Sequence, residues 1–113
     1  DPSHLFWMGA DPLATARALE GAIYHVHIKD ARLEKAGAVN AMLETKDVLD
    51  IAGRSWNYVT PGSGHSEDWW RSFVDTLRSL GYDGALSIEQ EDYTILDDAL
   101  KQASALLHRI LVQ

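Results

Sequence analysis

The sequence feature that most constrains the fold is a strand-like stretch at residues 23–30, which reads Ile-Tyr-His-Val-His-Ile-Lys-Asp. Strand side chains alternate between the two faces of a sheet with a period of two. One face of this stretch is therefore expected to be apolar, with Tyr24, Val26 and Ile28. The other is expected to be polar, with His25, His27 and Lys29. Two imidazoles and an ammonium group on one face of a strand predict a catalytic or ligand-binding site.

A second stretch at residues 84–91 repeats this two-faced pattern. Leu86 and Ile88 share its apolar face. Ser87, Glu89 and Glu91 share its polar face. A helical pattern separates the two stretches, which predicts a β-α-β unit with parallel strands. Imidazoles and carboxylates then converge on one face, although a solvated sheet face remains an alternative explanation of the pattern.

The other patterns predict three helices and two irregular segments. We expect helices at residues 12–20, between Ser66 and Gly81, and at 95–111, the last with a capping box formed by Thr94 and Asp97. Residues 1–10 are predicted to form a loop. Residues 31–65 are too long for an ordinary connection and suggest a functional lid, with one short helix near 41–51. His25 is expected to be a hydrogen-bonded core residue.

The whole pattern predicts an α/β protein that contains more sheet in its complete form than this chain supplies. Two parallel strands with open edges are marginally stable without partners. The chain also opens with Asp1-Pro2-Ser3-His4 rather than methionine. We therefore expect that an upstream part of the domain is missing from residues 1–113.

Composition excludes several classes of function. Seventeen acidic residues against ten basic ones give a formal net charge of −7, so nucleic acid is a poor partner. Cysteine is absent, which rules out disulfides and thiolate ligands. No apolar run approaches the roughly 20 residues that span a bilayer. We expect a cytoplasmic protein without a membrane partner.

Five motifs in order resemble the xylose isomerase-like TIM barrels, and more narrowly their sugar phosphate isomerase/epimerase branch. They are the opening Asp1-Pro2-Ser3-His4-Leu5, the strand at 25–30, Arg54-Ser55-Trp56 with Pro61-Gly62-Ser63-Gly64, Gly81-Tyr82-Asp83-Gly84, and residues 87–92. The resemblance implies that residues 1–113 are the C-terminal part of a (β/α)8 TIM barrel, with about two parallel strands and three to four helices.

The resemblance also implies a divalent metal ion at the C-terminal mouth of the barrel. Asp1 matches the aspartate after the sixth strand of the family, His27 the histidine of the seventh, and Glu89 the glutamate of the eighth. A glutamate from the fifth strand, which precedes this chain, completes the family's set. Independently, two carboxylates and an imidazole suit Mn²⁺, Mg²⁺, Co²⁺ or Zn²⁺.

The implied reaction is isomerisation or epimerisation of a sugar or polyol through a metal-stabilised enediolate. Glu89 is the local candidate for moving the proton, and His4 matches a family position that contacts substrate. Lys29 and Arg32 lie where related enzymes place cations against substrate oxygens. Many close relatives carry an arginine near residue 60 that is absent here, and Arg54 is a possible substitute.

Two alternatives remain open from the sequence. One is an inactive truncated fragment stabilised by self-association, because a site short of a ligand and of barrel walls cannot exclude water. The other is a metal-dependent hydrolase resembling endonuclease IV. The expected partners are a small-molecule sugar or sugar phosphate, and either a second copy of the chain or the N-terminal half of the barrel.

Overall fold

The computed structural model describes residues 1–112, which form four helices and two small sheets. In chain order the elements are α1 (Pro2–Met8), α2 (Pro12–Ala18), β1 (Val26–Ile28), β2 (Asp30–Leu33), β3 (Trp56–Val59), α3 (Glu67–Ser79), β4 (Leu86–Ile88) and α4 (Ala99–Leu111).

The parallel strand pair that the sequence predicts is formed by β1 and β4. His27 lies opposite Ser87, and Ile28 lies opposite Ile88. Both strands are shorter than the patterns at 23–30 and 84–91 suggested. The polar alternation of the two sequences nevertheless falls in register, so His27 and the residues that follow β4 lie at the same end of the sheet.

The short helix predicted near 41–51 is absent, and the long segment after β1 instead takes part in a strand pair; a lid role for this segment stays a prediction. After Lys29 the extended chain changes partner, and β2 pairs antiparallel with β3, with Asp30 opposite Val59 and Leu33 opposite Trp56. The partners are more than twenty residues apart in sequence. Such pairing depends on distant side chains, which a local pattern does not show.

The prediction of a loop at residues 1–10 was also wrong. The side chain of Asp1 accepts a hydrogen bond from the Ser3 amide at 2.8 Å and caps α1. Pro2 occupies the first turn, where its missing N–H has no cost, and Gly9 ends the helix with a φ of 78°. The same signals, Asp11 followed by Pro12, correctly predicted α2.

The core lies between the parallel strand pair and the two long helices. Trp70 on α3 is fully buried. The remaining members are Val26, Ile28, Phe73, Val74, Leu77, Leu106, Leu107 and Ile110. Burying an aliphatic or aromatic side chain contributes about 1.5–3 kcal/mol. This core therefore attaches α3 and α4 to one face of the sheet and leaves the strand ends to carry polar groups.

The start of α4 differs from the predicted capping box. The helix begins at Ala99, and the side chain of Asp98 makes no capping hydrogen bond. The amide of Thr94 instead donates to the carboxylate of Asp92 at 2.9 Å. Asp92 also accepts from the Thr60 amide at 2.8 Å, so it ties the loop after β4 to the end of β3.

Two side chains before β1 do not lie where the alternation placed them. Tyr24 is 88% exposed, and His25 is exposed rather than a core histidine. The strand begins only at Val26, so neither residue is held by strand pairing in residues 1–112.

None of the helices in residues 1–112 is long and apolar enough to cross a membrane.

Candidate metal centre

Asp1, His27 and Glu89 meet at one end of the parallel strand pair. Each offers one ligand atom, and these atoms all lie within 4.8 Å of one another. Nδ1 of His27 lies 2.7 Å from Oε2 of Glu89. The structure thus brings together the three residues that the sequence predicted as ligands.

Each of these side chains is placed by a different local element. His27 is the central residue of β1. Glu89 follows β4 directly, and its amide donates to the carbonyl of Ile28 at 3.2 Å, which extends the parallel pairing to the site. Asp1 caps α1, and its Oδ1 also accepts from the Ser3 hydroxyl at 2.6 Å. The three groups therefore rest on hydrogen-bonded backbone.

The donor set and its spacing fit a divalent cation. Carboxylate and imidazole ligands lie about 2.0–2.3 Å from such ions, so opposite ligands are up to about 4.6 Å apart. The observed limit of 4.8 Å is close to that span. Two carboxylates and one imidazole favour harder divalent ions over thiophilic ones. Asp1, His27 and Glu89 would supply three ligands.

Lys29 is the cation that organises the carboxylates behind the site. Its side chain is only 3% exposed, and Nζ contacts Oε1 of Glu89 at 2.8 Å and Oε1 of Glu91 at 2.7 Å. Burial by itself lowers the pKa of Lys29, but the hydrogen bonds to the two carboxylates outweigh it and the pKa is raised. Lys29 therefore remains charged at neutral pH.

Glu89 is held ionised by its neighbours. The hydrogen bond from Lys29 is the largest influence and lowers the pKa of Glu89, against the opposing effect of desolvation; the charge interaction with His27 lowers it further. One carboxylate oxygen faces Lys29 and the other faces His27. An anionic, oriented carboxylate is the form that binds a cation.

His4 and Tyr58 form a second wall of the site. Nε2 of His4 lies 3.4 Å from Oδ2 of Asp1, and Nδ1 lies 3.2 Å from the hydroxyl of Tyr58. The ring of Tyr58 also lies under Lys29, with Nζ 4.0 Å from the ring centroid. Sequence analysis predicted roles for His4 and Lys29 but did not connect them through Tyr58, which is on β3.

The two arginines predicted to bind substrate have other partners in this structure. The guanidinium of Arg54 donates to the carbonyls of Lys46 at 2.7 Å and Trp56 at 3.2 Å, so it holds the segment before β3. Arg32 is directed to Glu34, with Nη2 and Oε1 2.7 Å apart. A substrate role for either arginine stays a prediction.

Asp30 is a residue that sequence analysis missed. It is completely buried, and its Oδ2 accepts from the amides of Gly62 at 3.1 Å, Gly64 at 3.0 Å and His65 at 3.0 Å. Its Oδ1 lies 2.8 Å from Nδ1 of His65. The amides of the glycine turn at 61–64 and of His65 therefore bind an internal carboxylate.

With this geometry established, the class of protein follows from sequence comparison. The chain belongs to the xylose isomerase-like TIM barrel family, whose sequence model matches residues 1–110. This membership confirms the resemblance inferred from the motifs. It also confirms the fold class, because β1 and β4 with their helices are part of such a barrel.

The relatives include proteins of known and unknown activity. The chain is 52% identical over 100 residues to the uncharacterized protein YfiH of Bacillus subtilis (strain 168). This match covers 88% of this chain and 32% of YfiH. It is 31% identical over 93 residues to inosose dehydratase of Lacticaseibacillus casei, covering 80% of this chain and 29% of the enzyme. The inosose dehydratase of Geobacillus thermodenitrificans (strain NG80-2) is 31% identical over 91 residues. The chain spans about a third of the length of these relatives.

Proposed function

We propose that this chain carries part of the active site of a divalent-metal-dependent sugar or polyol isomerase or epimerase. The observation that supports this most directly is the convergence of Asp1, His27 and Glu89 within 4.8 Å at the end of a parallel strand pair. Membership of the family supports the barrel fold, and the two carboxylates with one imidazole support a divalent metal ion. The substrate we propose is a small sugar, polyol or sugar phosphate.

A bound divalent ion would polarise a carbonyl and an adjacent hydroxyl of the sugar and so acidify the C–H bond between them. The residues of this chain then have separate tasks. Glu89 is oriented by Lys29 and is the group in this chain proposed to move the proton at the substrate carbon. His4 is half-exposed beside Asp1 and is proposed to contact a substrate oxygen. Because Lys29 is buried against two carboxylates, we propose that it positions Glu89 in addition to any substrate contact.

Dehydration of a polyol is the second candidate, and the inosose dehydratase relatives favour it. Dehydration next to a carbonyl and isomerisation both begin with removal of a proton from the carbon beside that carbonyl. The three-ligand site and Glu89 serve either reaction. The outcomes differ in the product, because dehydration releases the hydroxyl on the next carbon as water.

The test is solvent exchange with the protein at its full natural length. A panel of aldoses, ketoses, their phosphates and inososes is incubated in ²H₂O with Mn²⁺, and deuterium incorporation is followed by mass spectrometry. We expect exchange at one carbon of at least one substrate. Replacement Glu89→Gln removes the carboxylate base and is expected to lower the exchange rate by about 10²- to 10⁴-fold.

The matched control is Glu20→Gln, because Glu20 is an exposed glutamate beyond the end of α2. This variant should exchange at the wild-type rate. Unchanged exchange in the Glu89→Gln variant would remove the proposed role of Glu89. No exchange with any substrate would contradict the proposed function.

A further inference from the structure

Tyr58 makes contacts that the proposed reaction does not yet use. It lies on β3, outside the parallel strand pair, and its hydroxyl is 3.2 Å from Nδ1 of His4. The two rings meet edge to face, with centroids 5.8 Å apart. The pairing of β3 with β2 therefore places the side chain of Tyr58 at the wall of the site.

The position of His4 between two oxygen groups defines which ring nitrogen carries the proton. Its Nε2 faces Oδ2 of Asp1 at 3.4 Å, and an ionised carboxylate only accepts hydrogen bonds. A proton on Nε2 makes this approach favourable, whereas a lone pair on Nε2 would face the negative carboxylate. In the neutral ring Nδ1 is then the acceptor, so the hydroxyl of Tyr58 is the donor.

The environment of Tyr58 holds its hydroxyl in this direction. Nζ of Lys29 lies 4.0 Å from the ring centroid, which is a favourable cation–π distance. The ring of Trp56 packs against another side, with centroids 5.0 Å apart. Trp56 is in turn stacked on Trp7 of α1, with centroids 4.9 Å apart and an interplanar angle of 6°. Tyr58 is thus fixed between the helix that carries His4 and the lysine that orients Glu89.

We infer that Tyr58 is a positioning residue that holds His4 in the Nε2-protonated tautomer and directs its N–H towards Asp1 and the substrate space beside it. This inference rests on the proposed function, in which His4 contacts a substrate oxygen. The Nε2–H group can donate to an oxygen on which negative charge develops. Without the Tyr58 hydroxyl only the contact with Asp1 still favours this tautomer, so the other tautomer, which presents a lone pair at Nε2, becomes more populated.

The test uses Tyr58→Phe in the protein at its full natural length. This variant keeps the ring, and with it the contacts to Lys29 and Trp56, and removes only the hydroxyl. Tyr82→Phe is the matched control, because the Tyr82 hydroxyl also makes one hydrogen bond, to the carbonyl of Ala85 at 2.7 Å, outside the site. Thermal unfolding of all proteins confirms that they are folded.

The first readout is the tautomer of His4, measured at about pH 8, where an ordinary histidine is neutral. The ¹⁵N shifts of labelled histidine distinguish protonated from unprotonated ring nitrogens, and a His4→Gln variant assigns the signals. We expect the Nε2–H form in the wild type and in Tyr82→Phe, and a mixture of tautomers in Tyr58→Phe. The same tautomer in Tyr58→Phe as in the wild type, or an Nδ1–H form in the wild type, would overturn the inference.

The second readout is the rate of deuterium exchange into the substrate found in the panel. Loss of one hydrogen bond of ordinary strength predicts a fall of about fivefold in Tyr58→Phe, with unchanged Mn²⁺ affinity. An exchange rate equal to that of the wild type would contradict a role in positioning His4. If the wild type exchanges no substrate, the proposed function fails, and the tautomer measurement still decides the role of Tyr58.

Discussion

Replacement of Asp30 by alanine tests how the glycine turn at residues 61–64 is held in place. The carboxylate is completely buried, and its Oδ2 is the shared acceptor of the amides of Gly62, Gly64 and His65. Alanine removes this acceptor and leaves the amides without a protein partner. Asparagine keeps the size and one carbonyl oxygen but loses the charge.

The expected cost follows from these contacts. A buried donor left without an acceptor costs about 1–3 kcal/mol, and a hydrogen bond to a charged group contributes about 1.5–3 kcal/mol. The turn is near the surface and can admit water, so we expect about 3–5 kcal/mol for Asp30→Ala rather than the sum over every amide. Asp30→Asn should cost about 1–2 kcal/mol, because the oxygen can still face the amides.

Urea unfolding followed by tryptophan fluorescence measures both changes, since the indole nitrogen of Trp70 lies 3.4 Å from Asp30. The control is Asp11→Ala, an exposed helix cap with an expected cost of about 1 kcal/mol. A loss below about 1 kcal/mol in Asp30→Ala, or one equal to the control, would refute the argument that this carboxylate holds the turn.

Two further predictions concern charge. Lys29→Met should raise the pKa of Glu89, because the hydrogen bond from Lys29 is the main cause of its lowered pKa. A ¹³C titration of the metal-free protein measures this pKa, and the control Lys101→Met, at an exposed lysine, should leave it unchanged. An unchanged pKa of Glu89 in Lys29→Met would contradict the prediction. Burial raises the pKa of Asp92, but hydrogen bonds from Thr94 and Thr60 outweigh it and lower the pKa below the usual 3.8. Its stabilising contribution is therefore full above that pH and lost as the pH falls through the lowered value, so the stability difference between wild type and Asp92→Asn should shrink in acid. A difference that stays constant from neutral pH to about pH 2 would contradict this assignment.

Local patterns predicted the parts of the fold that depend on periodicity. The period-two alternation located β1 and β4, and the helical stripe between Ser66 and Gly81 located α3, because each element buries one face against the same core. α1 was not predicted, although its signals, Asp1 followed by Pro2, are the same as the signals that predicted α2.

The pairing of β2 with β3 was not predictable in the same way. Its partners are brought together by contacts between distant segments, and the 34–55 connection has little internal pattern. The consequence for the site is specific. Tyr58 lies on β3, which pairs with β2, and its hydroxyl is 3.2 Å from Nδ1 of His4. The candidate ligands were accessible from sequence through the family resemblance, which matched Asp1, His27 and Glu89 to the metal ligands of the family.

The most direct test of the central hypothesis is Mn²⁺ binding measured by calorimetry on the protein at its full natural length. His27→Ala removes one of the three proposed ligands, whereas His25→Ala removes an exposed imidazole whose ring centroid is 5.3 Å from that of His27. Loss of a partner outside the ligand set already costs 10- to 100-fold in affinity at metal sites, so we predict at least about a tenfold loss for His27→Ala and wild-type affinity for His25→Ala. Equal Mn²⁺ affinity in the wild type and His27→Ala would contradict the proposed metal centre.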